Sequence, residues 1–299
     1  MDIVHTALPI GLGIVMLGLG LGLKMTDFTY VFTRPRAFII SLITQLLVMP
    51  LVALALVLAF RLDVVLALGM ILLASTPGGP VTNVYTKLFG GDVALSVSLT
   101  TINSFLAVVI VPLYYNLGVW FFQADRATLG LQFGEIAEVL AVIVIPIFLG
   151  ILVRRWNEGL ADRLDRPVRI MSLVVLIVLI IGAVVVNREI LLNSFTQVAG
   201  VTATFGLLNL VIGYLVPRLF GVGERQSITC AFEIGIHNAV MAVVIAQTVI
   251  GSQEMSLAPG MYTLLQLPTA FVIGIFLSRR LKRSEAAAPA DERSPAPTP

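Results

Sequence analysis

Long apolar runs separated by short polar segments divide the chain into nine stretches: 5–23, 37–60, 64–87, 93–122, 136–153, 168–187, 196–217, 227–250 and 256–278. Each is long enough to cross a bilayer, whose hydrocarbon core takes about 20 mostly apolar residues per helix. The runs lack the polar face of a soluble amphipathic helix and the roughly ten-residue alternation of an outer-membrane strand. The pattern predicts an all-α polytopic membrane protein with nine transmembrane helices. Residues 284–299 are rich in Ala and Pro without apolar periodicity. They read as a disordered cytoplasmic tail behind a single transmembrane domain over 1–283.

Charge distribution supports that count. With the N-terminus outside, sixteen of the nineteen Lys and Arg residues fall in inside segments, and only Arg61, Arg126 and Arg188 fall outside. Cytoplasmic loops carry this excess of basic residues, and adding or removing one span would scramble it downstream. The C-terminus is then cytoplasmic, and the expected location is the inner membrane of a bacterium. Composition agrees: 58% of residues are hydrophobic and 12% charged, against about 25% charged in soluble domains. The net charge of +2 is sorted by topology and forms no nucleic-acid patch. The start, MDIVHTALPIGLGIVMLGLGLGLK, lacks the basic beginning and small-residue cleavage site of a removed signal peptide, so it reads as the first span. The single cysteine, Cys230, excludes an internal disulfide and reads as a small packing residue.

The polar loop from Arg154 to Arg169 separates four spans before span five from four after it. Span two carries Gln45 then Pro50, and span seven Asn209 then Pro217. Span three carries STPGGPVTN from Ser75 to Asn83, and span eight carries FEIGIHN ending at Asn238. This pairing suggests two repeats, about 5–122 and 136–278, of opposite orientation. In that arrangement paired broken helices meet near the midplane and form a site.

Within span three, Pro77 and Pro80 remove backbone donors and Gly78 and Gly79 free the chain, so a continuous helix there is improbable. A restart in mid-membrane offers free N–H groups to an anion, while unwound carbonyls suit a cation; a simple proline kink is the alternative. Span eight holds Glu233, the sole charged residue between Gln226 and Gln253. A charge at the bilayer centre costs between about 2.5 and 17 kcal/mol, so such a residue usually faces a cavity, a counter-ion or a ligand. Thr82 and Asn83 lie beside the first break, and Ser96 and Thr100 share a face of span four at i and i+4. Singly, such hydroxyls usually bond their own helix carbonyls. Together with Glu233 these residues offer hard oxygen ligands and one negative charge, which suits a hard monovalent cation.

The segments RPRAFIISLITQLLVMP (Arg34 to Pro50), STPGGPVTNVYTKLFGGDVALSVS (Ser75 to Ser98) and FEIGIHNA (Phe232 to Ala239) resemble the bile acid:sodium symporters, and the likeness extends to Leu281. Bacterial members of that family have a ten-helix inverted-repeat fold with two broken, crossing helices. The resemblance implies a panel of spans one, five and six and a core of spans two to four and seven to nine. The first family helix has no counterpart, in keeping with nine spans.

The resemblance also implies a sodium site at Thr82, Asn83, Ser96, Thr100 and Glu233, with threonine at 82 where serine is common. A second sodium site would use Gln45, Glu233, the carbonyls of Ile234 and Ile236, and the side chain at His237, where the family has glutamine. A neutral imidazole is a poorer sodium ligand than an amide oxygen, and a protonated one repels the ion. His237 therefore stays open among a hydrogen-bonded structural role, a donor to substrate and a proton-coupling group. Substrate would sit against Asn238 and the restart at Pro80 and Val81, with His237, Gln266 and Thr269 lining the same cavity.

The expected function is a sodium-coupled symporter of a small organic anion, a carboxylate, working by alternating access as a monomer, with sodium as coupling ion and no other cofactor. A proton-coupled or facilitative carrier of the same fold is the alternative. An intramembrane hydrolase is disfavoured, because one Cys and two His offer no nucleophile–base pair and no zinc motif. The chain is thus not expected to be an enzyme.

Overall fold

Apolar chain in hydrocarbon must pair its own backbone groups, which makes helix the default for every long run in this sequence. The computed structural model describes residues 2–22, 35–79, 81–124, 130–131, 133–164, 167–168, 170–171 and 188–287, and among these the regular structure is helical. The long elements are α1 (Asp2–Gly22), α2 (Pro35–Ala59), α3 (Val64–Ser75), α4 (Val81–Leu88), α5 (Val93–Phe121), α6 (Phe133–Trp156), α7 (Arg188–Leu219), α8 (Glu224–Gly235), α9 (Ala239–Val249) and α10 (Leu257–Ala287). Four of them, α2, α5, the Val198–Leu219 part of α7 and the Leu257–Ser284 part of α10, are each long and apolar enough to cross a membrane unaided.

Spans three and eight are each two helices. The first breaks between Ser75 and Val81, across the Pro-Gly-Gly-Pro run, and the second between Gly235 and Ala239. The second restart therefore begins at Ala239. Asn238 is its N-cap, accepting from the Met241 amide at 3.1 Å, a role suited to a short side-chain oxygen. The expected sixth span, 168–187, falls almost wholly outside the described residues, as do Pro80, Arg126 and residues 288–299. Residues 284–287, expected in the tail, are instead helical. Helix α10 continues through Ser284 to Ala287, because Glu-Ala-Ala after Ser284 are strong helix formers and the first proline comes only at 289.

Around the breaks, α3 packs on α2, α5 and α10, while α7 packs on α8 and α10. The shared core includes Leu68, Met70, Leu72, Tyr115, Phe205 and Tyr262, all fully buried. Helices α1 and α6 pack on each other and meet the remainder through α5 and α9. Two glycines set their spacing. A Cβ on Gly20 would sit 2.2 Å from the Ile147 carbonyl oxygen, and one on Gly150 would sit 2.6 Å from the Leu21 amide nitrogen. Close backbone approach of this kind is how membrane helices gain packing where no hydrophobic force separates helix from lipid.

Helix α2 contains a π-helical turn at Thr44–Val48 with Pro50 just after it. Proline at 50 has no N–H for the carbonyl four residues earlier, at Leu46. The Tyr114 hydroxyl of α5 donates to that carbonyl at 2.5 Å, so the irregular turn is satisfied from a neighbouring helix.

Gly20→Ala should separate α1 from α6 and destabilise the detergent-solubilised protein by roughly 1–3 kcal/mol, read as a lower thermal midpoint. Gly134→Ala, where a Cβ meets nothing within 4 Å, serves as the control and should leave the midpoint unchanged.

Candidate functional site

The two breaks cross. Gly78 and His237 form an antiparallel bridge, the Asn238 amide donates to the Pro77 carbonyl at 2.8 Å, and His237 Nδ1 lies 3.0 Å from the Thr76 carbonyl oxygen. Each break thus supplies partners for backbone groups that the other leaves without helical bonds, as buried backbone requires.

Glu233 lies two residues before the end of α8 and is fully buried. Its Oε1 accepts from Thr82 Oγ1 at 2.5 Å, Ser96 Oγ at 2.5 Å and Thr100 Oγ1 at 2.8 Å, and its Oε2 lies 2.9 Å from Thr100 Oγ1. Among the described residues no ion pair includes this carboxylate. Gly78 makes room for it, since a Cβ there would stand 2.7 Å from Glu233 Oε2. Helix α4 brings Thr82 because it restarts at Val81, and α5 brings Ser96 and Thr100 one turn apart on one face.

The hydroxyl protons have alternative acceptors. Thr82 Oγ1 also reaches the Gly79 carbonyl at 2.8 Å, and Thr100 Oγ1 reaches the Ser96 carbonyl at 2.9 Å. A hydroxyl has one proton and two lone pairs. With their protons parked on those carbonyls, both threonines can present oxygen lone pairs to a cation beside Glu233. Asn83, the next residue of α4, has a buried Oδ1 without a hydrogen-bond partner, an acceptor of the kind that a bound cation satisfies. Carboxylate, hydroxyls and amide oxygen form a hard-donor set suited to a small alkali cation.

The residues expected around a second cation are arranged differently. Gln45 Oε1 accepts from Asn103 Nδ2 at 2.7 Å. Both ring nitrogens of His237 are engaged within the protein. Nδ1 must donate to the Thr76 carbonyl, and Nε2 then accepts from Asn209 Nδ2 at 3.0 Å. The ring stacks on Phe205 at 5.6 Å between centroids and meets Tyr262 edge-on at 5.8 Å. Ile234 and Ile236 are buried on either side of the α8 terminus, where Tyr262 donates to the neighbouring Gly235 carbonyl at 2.9 Å.

Of the residues expected to face a substrate, Asn238 is 7% exposed with its oxygen used as a cap, and Val81 is half-buried at the α4 start. Pro80 lies outside the described residues. Gln266 on α10 has a buried Oε1 without a partner, and Thr269 lies three residues on, half-buried. Sequence reasoning passed over Thr86, whose hydroxyl donates to Ser96 Oγ at 3.3 Å, and Asn103. The signal was available: Thr86 is i+4 from Thr82, and Asn103 is i+3 from Thr100.

Residues 9–194 match the Sodium Bile acid symporter family. The chain is 27% identical to the uncharacterized sodium-dependent transporter YocS of Bacillus subtilis over 95% of this chain and 86% of that protein. It is 28% identical to the probable chloroplastic sodium/metabolite cotransporter BASS1 of rice (Oryza sativa subsp. japonica), over 81% of this chain but only 59% of that longer protein. It is 24% identical to the ileal sodium/bile acid cotransporter of the rabbit, Oryctolagus cuniculus, over 93% of this chain and 81% of that protein.

His237→Ala should strand the Thr76 carbonyl and the Asn209 amide, each orphaned buried group costing about 1–3 kcal/mol, and lower the thermal midpoint in detergent. An unchanged midpoint would contradict the structural role given to the imidazole.

Proposed function

Because the chain belongs to the Sodium Bile acid symporter family, we propose that it is a multi-pass membrane symporter moving a small organic anion, a carboxylate, together with sodium. The family is one of transporters, not enzymes. The observation that carries the reading is Glu233, fully buried, unpaired by any basic group among the described residues and ringed by three hydroxyls. A carboxylate in hydrocarbon is costly without a counter-charge, and a bound cation would supply one. Sodium, as the co-transported ion, would sit among Glu233, Thr82, Asn83, Ser96 and Thr100. The sodium-dependent transporter YocS and the sodium/bile acid and sodium/metabolite cotransporters among its relatives support sodium as that ion.

The engagement of both His237 nitrogens favours a single cation per cycle over a second one at Gln45, Ile234, Ile236 and His237. The anion would bind where the half-helices restart, near Val81 and Asn238, with Gln266 and Thr269 on the facing helix. The partial positive charge at a helix start attracts an anion. Alternating access would come from the panel of spans one, five and six, of which α1 and α6 are the described helices, moving against the core of spans two to four and seven to nine. This reading keeps nine spans, an inverted repeat, an external N-terminus, the bacterial inner membrane and a monomer as the working unit.

In proteoliposomes an inward sodium gradient should drive carboxylate uptake, and Glu233→Gln should abolish that sodium dependence. Uptake driven by a proton gradient without sodium would instead favour the proton-coupled alternative. Sodium should also raise the thermal midpoint of the detergent-solubilised chain, since a ligand at 100 times its Kd stabilises by about 2.7 kcal/mol. Thr100→Val, which keeps the shape but removes a hydroxyl touching both carboxylate oxygens, should weaken sodium binding on the order of tenfold or more. An unchanged sodium affinity in that variant would remove Thr100 from the site.

A further inference from the structure

Three hydroxyls donate to the Glu233 carboxylate. A cation on that carboxylate takes oxygen lone pairs, so each hydroxyl proton needs another acceptor when the cation arrives. Thr82 has the Gly79 carbonyl at 2.8 Å, and Thr100 has the Ser96 carbonyl at 2.9 Å. Ser96 differs. Among the described residues its hydroxyl reaches two groups, Glu233 Oε1 at 2.5 Å and Thr86 Oγ1 at 3.3 Å. The Thr86 oxygen is therefore the place to which the Ser96 proton can turn.

Thr86 is held in that place by its surroundings. It lies one turn after Thr82 on the same face of α4 and is fully buried. Its carbonyl accepts from the Gly91 amide at 2.8 Å, where the chain leaves α4 through Gly90 at a φ of +82°. A Cβ on Gly91 would stand 2.8 Å from the Thr86 γ-methyl and 2.8 Å from Thr229 Oγ1, so the turn closes over both side chains only because position 91 lacks one. Thr229 accepts from the Asp92 amide at 2.7 Å and precedes Glu233 by one turn of α8. The turn between α4 and α5 is thus pinned to the helix that carries the carboxylate, with the Thr86 methyl against the turn and its hydroxyl on Ser96. A helical threonine commonly donates to a carbonyl of the preceding turn, which gives Thr86 an outlet for its own proton once it accepts from Ser96.

We propose that Thr86 is a positioning residue for sodium. It touches no ion; by changing from donor to acceptor toward Ser96, it lets Ser96 turn its proton off the carboxylate and a lone pair onto the cation. Without the Thr86 hydroxyl, the Ser96 proton stays on Glu233 Oε1 and competes with the cation for that oxygen. The assignment rests on the sodium-symporter reading above and adds a residue outside the five oxygen donors.

The test is sodium titration of the full chain in detergent, with affinity read from the rise of the thermal midpoint. Thr86→Val, which keeps the shape but removes the hydroxyl, should weaken sodium binding about tenfold, and Thr86→Ser should keep wild-type affinity. Thr86→Ala should show the same loss as Thr86→Val and takes its place if the valine variant fails to fold. In a Ser96→Ala background, removing the Thr86 hydroxyl should weaken binding no further, because residues that act through one another are not additive. Wild-type affinity in Thr86→Val, an equal loss in Thr86→Ser, or the same loss in both backgrounds would overturn the role. A lower sodium-free midpoint with unchanged sodium affinity is the mark of packing alone and would overturn it too. Failure of the sodium reading itself shows separately, as a wild-type midpoint that does not rise with sodium, and this role would fall with it.

Discussion

Everything near the centre of this protein is arranged around one carboxylate that cannot reach water. Glu233 is fully buried, and three hydroxyls from two helices converge on it within 2.9 Å. Holding a charge there requires α4 to restart where Thr82 can reach, α5 to present Ser96 and Thr100 together, and position 78 to lack a side chain. The broken helix is the geometric consequence. A continuous span three would bond its amides internally and could not bridge to His237 and Asn238.

The crossing also explains why the imidazole is immobilised. His237 links the first break, through Thr76, to α7, through Asn209, and it is clamped between the rings of Phe205 and Tyr262. Its place within the bridge makes it a strut between the two broken helices. Such fully satisfied buried polar networks rigidify their surroundings, and a rigid crossing suits a site whose ligand oxygens come from three separate helices.

Helix α5 links the carboxylate cluster to the irregular turn of α2. Ser96 and Thr100 face the carboxylate, while Asn103 donates to Gln45 and Tyr114 to the Leu46 carbonyl. Pro50 leaves the Leu46 carbonyl without its helical donor, and the Tyr114 hydroxyl supplies one from α5. A shift of α5 along its axis would disturb both sets of contacts together.

Much of this was legible in the residues. Apolar run length and the Pro-Gly-Gly-Pro interruption identify apolar helices and a break, because each is a local property of backbone and solvent. Glu233 stood out since a lone acid in an apolar run has no local partner. Thr86 and Asn103 escaped notice because helical spacing says which residues share a face, not what that face meets. For the same reason the roles left open at His237 could not be narrowed from the chain alone: its partners lie 161 residues away at Thr76 and 28 away at Asn209. The sequence by itself determined which runs are apolar helix, where the chain must break and which charge has no local partner. Only the tertiary structure decided which hydroxyls surround that charge and which amides stay unpaired, because hydrogen-bond partners are set by distances between helices that no single helix encodes.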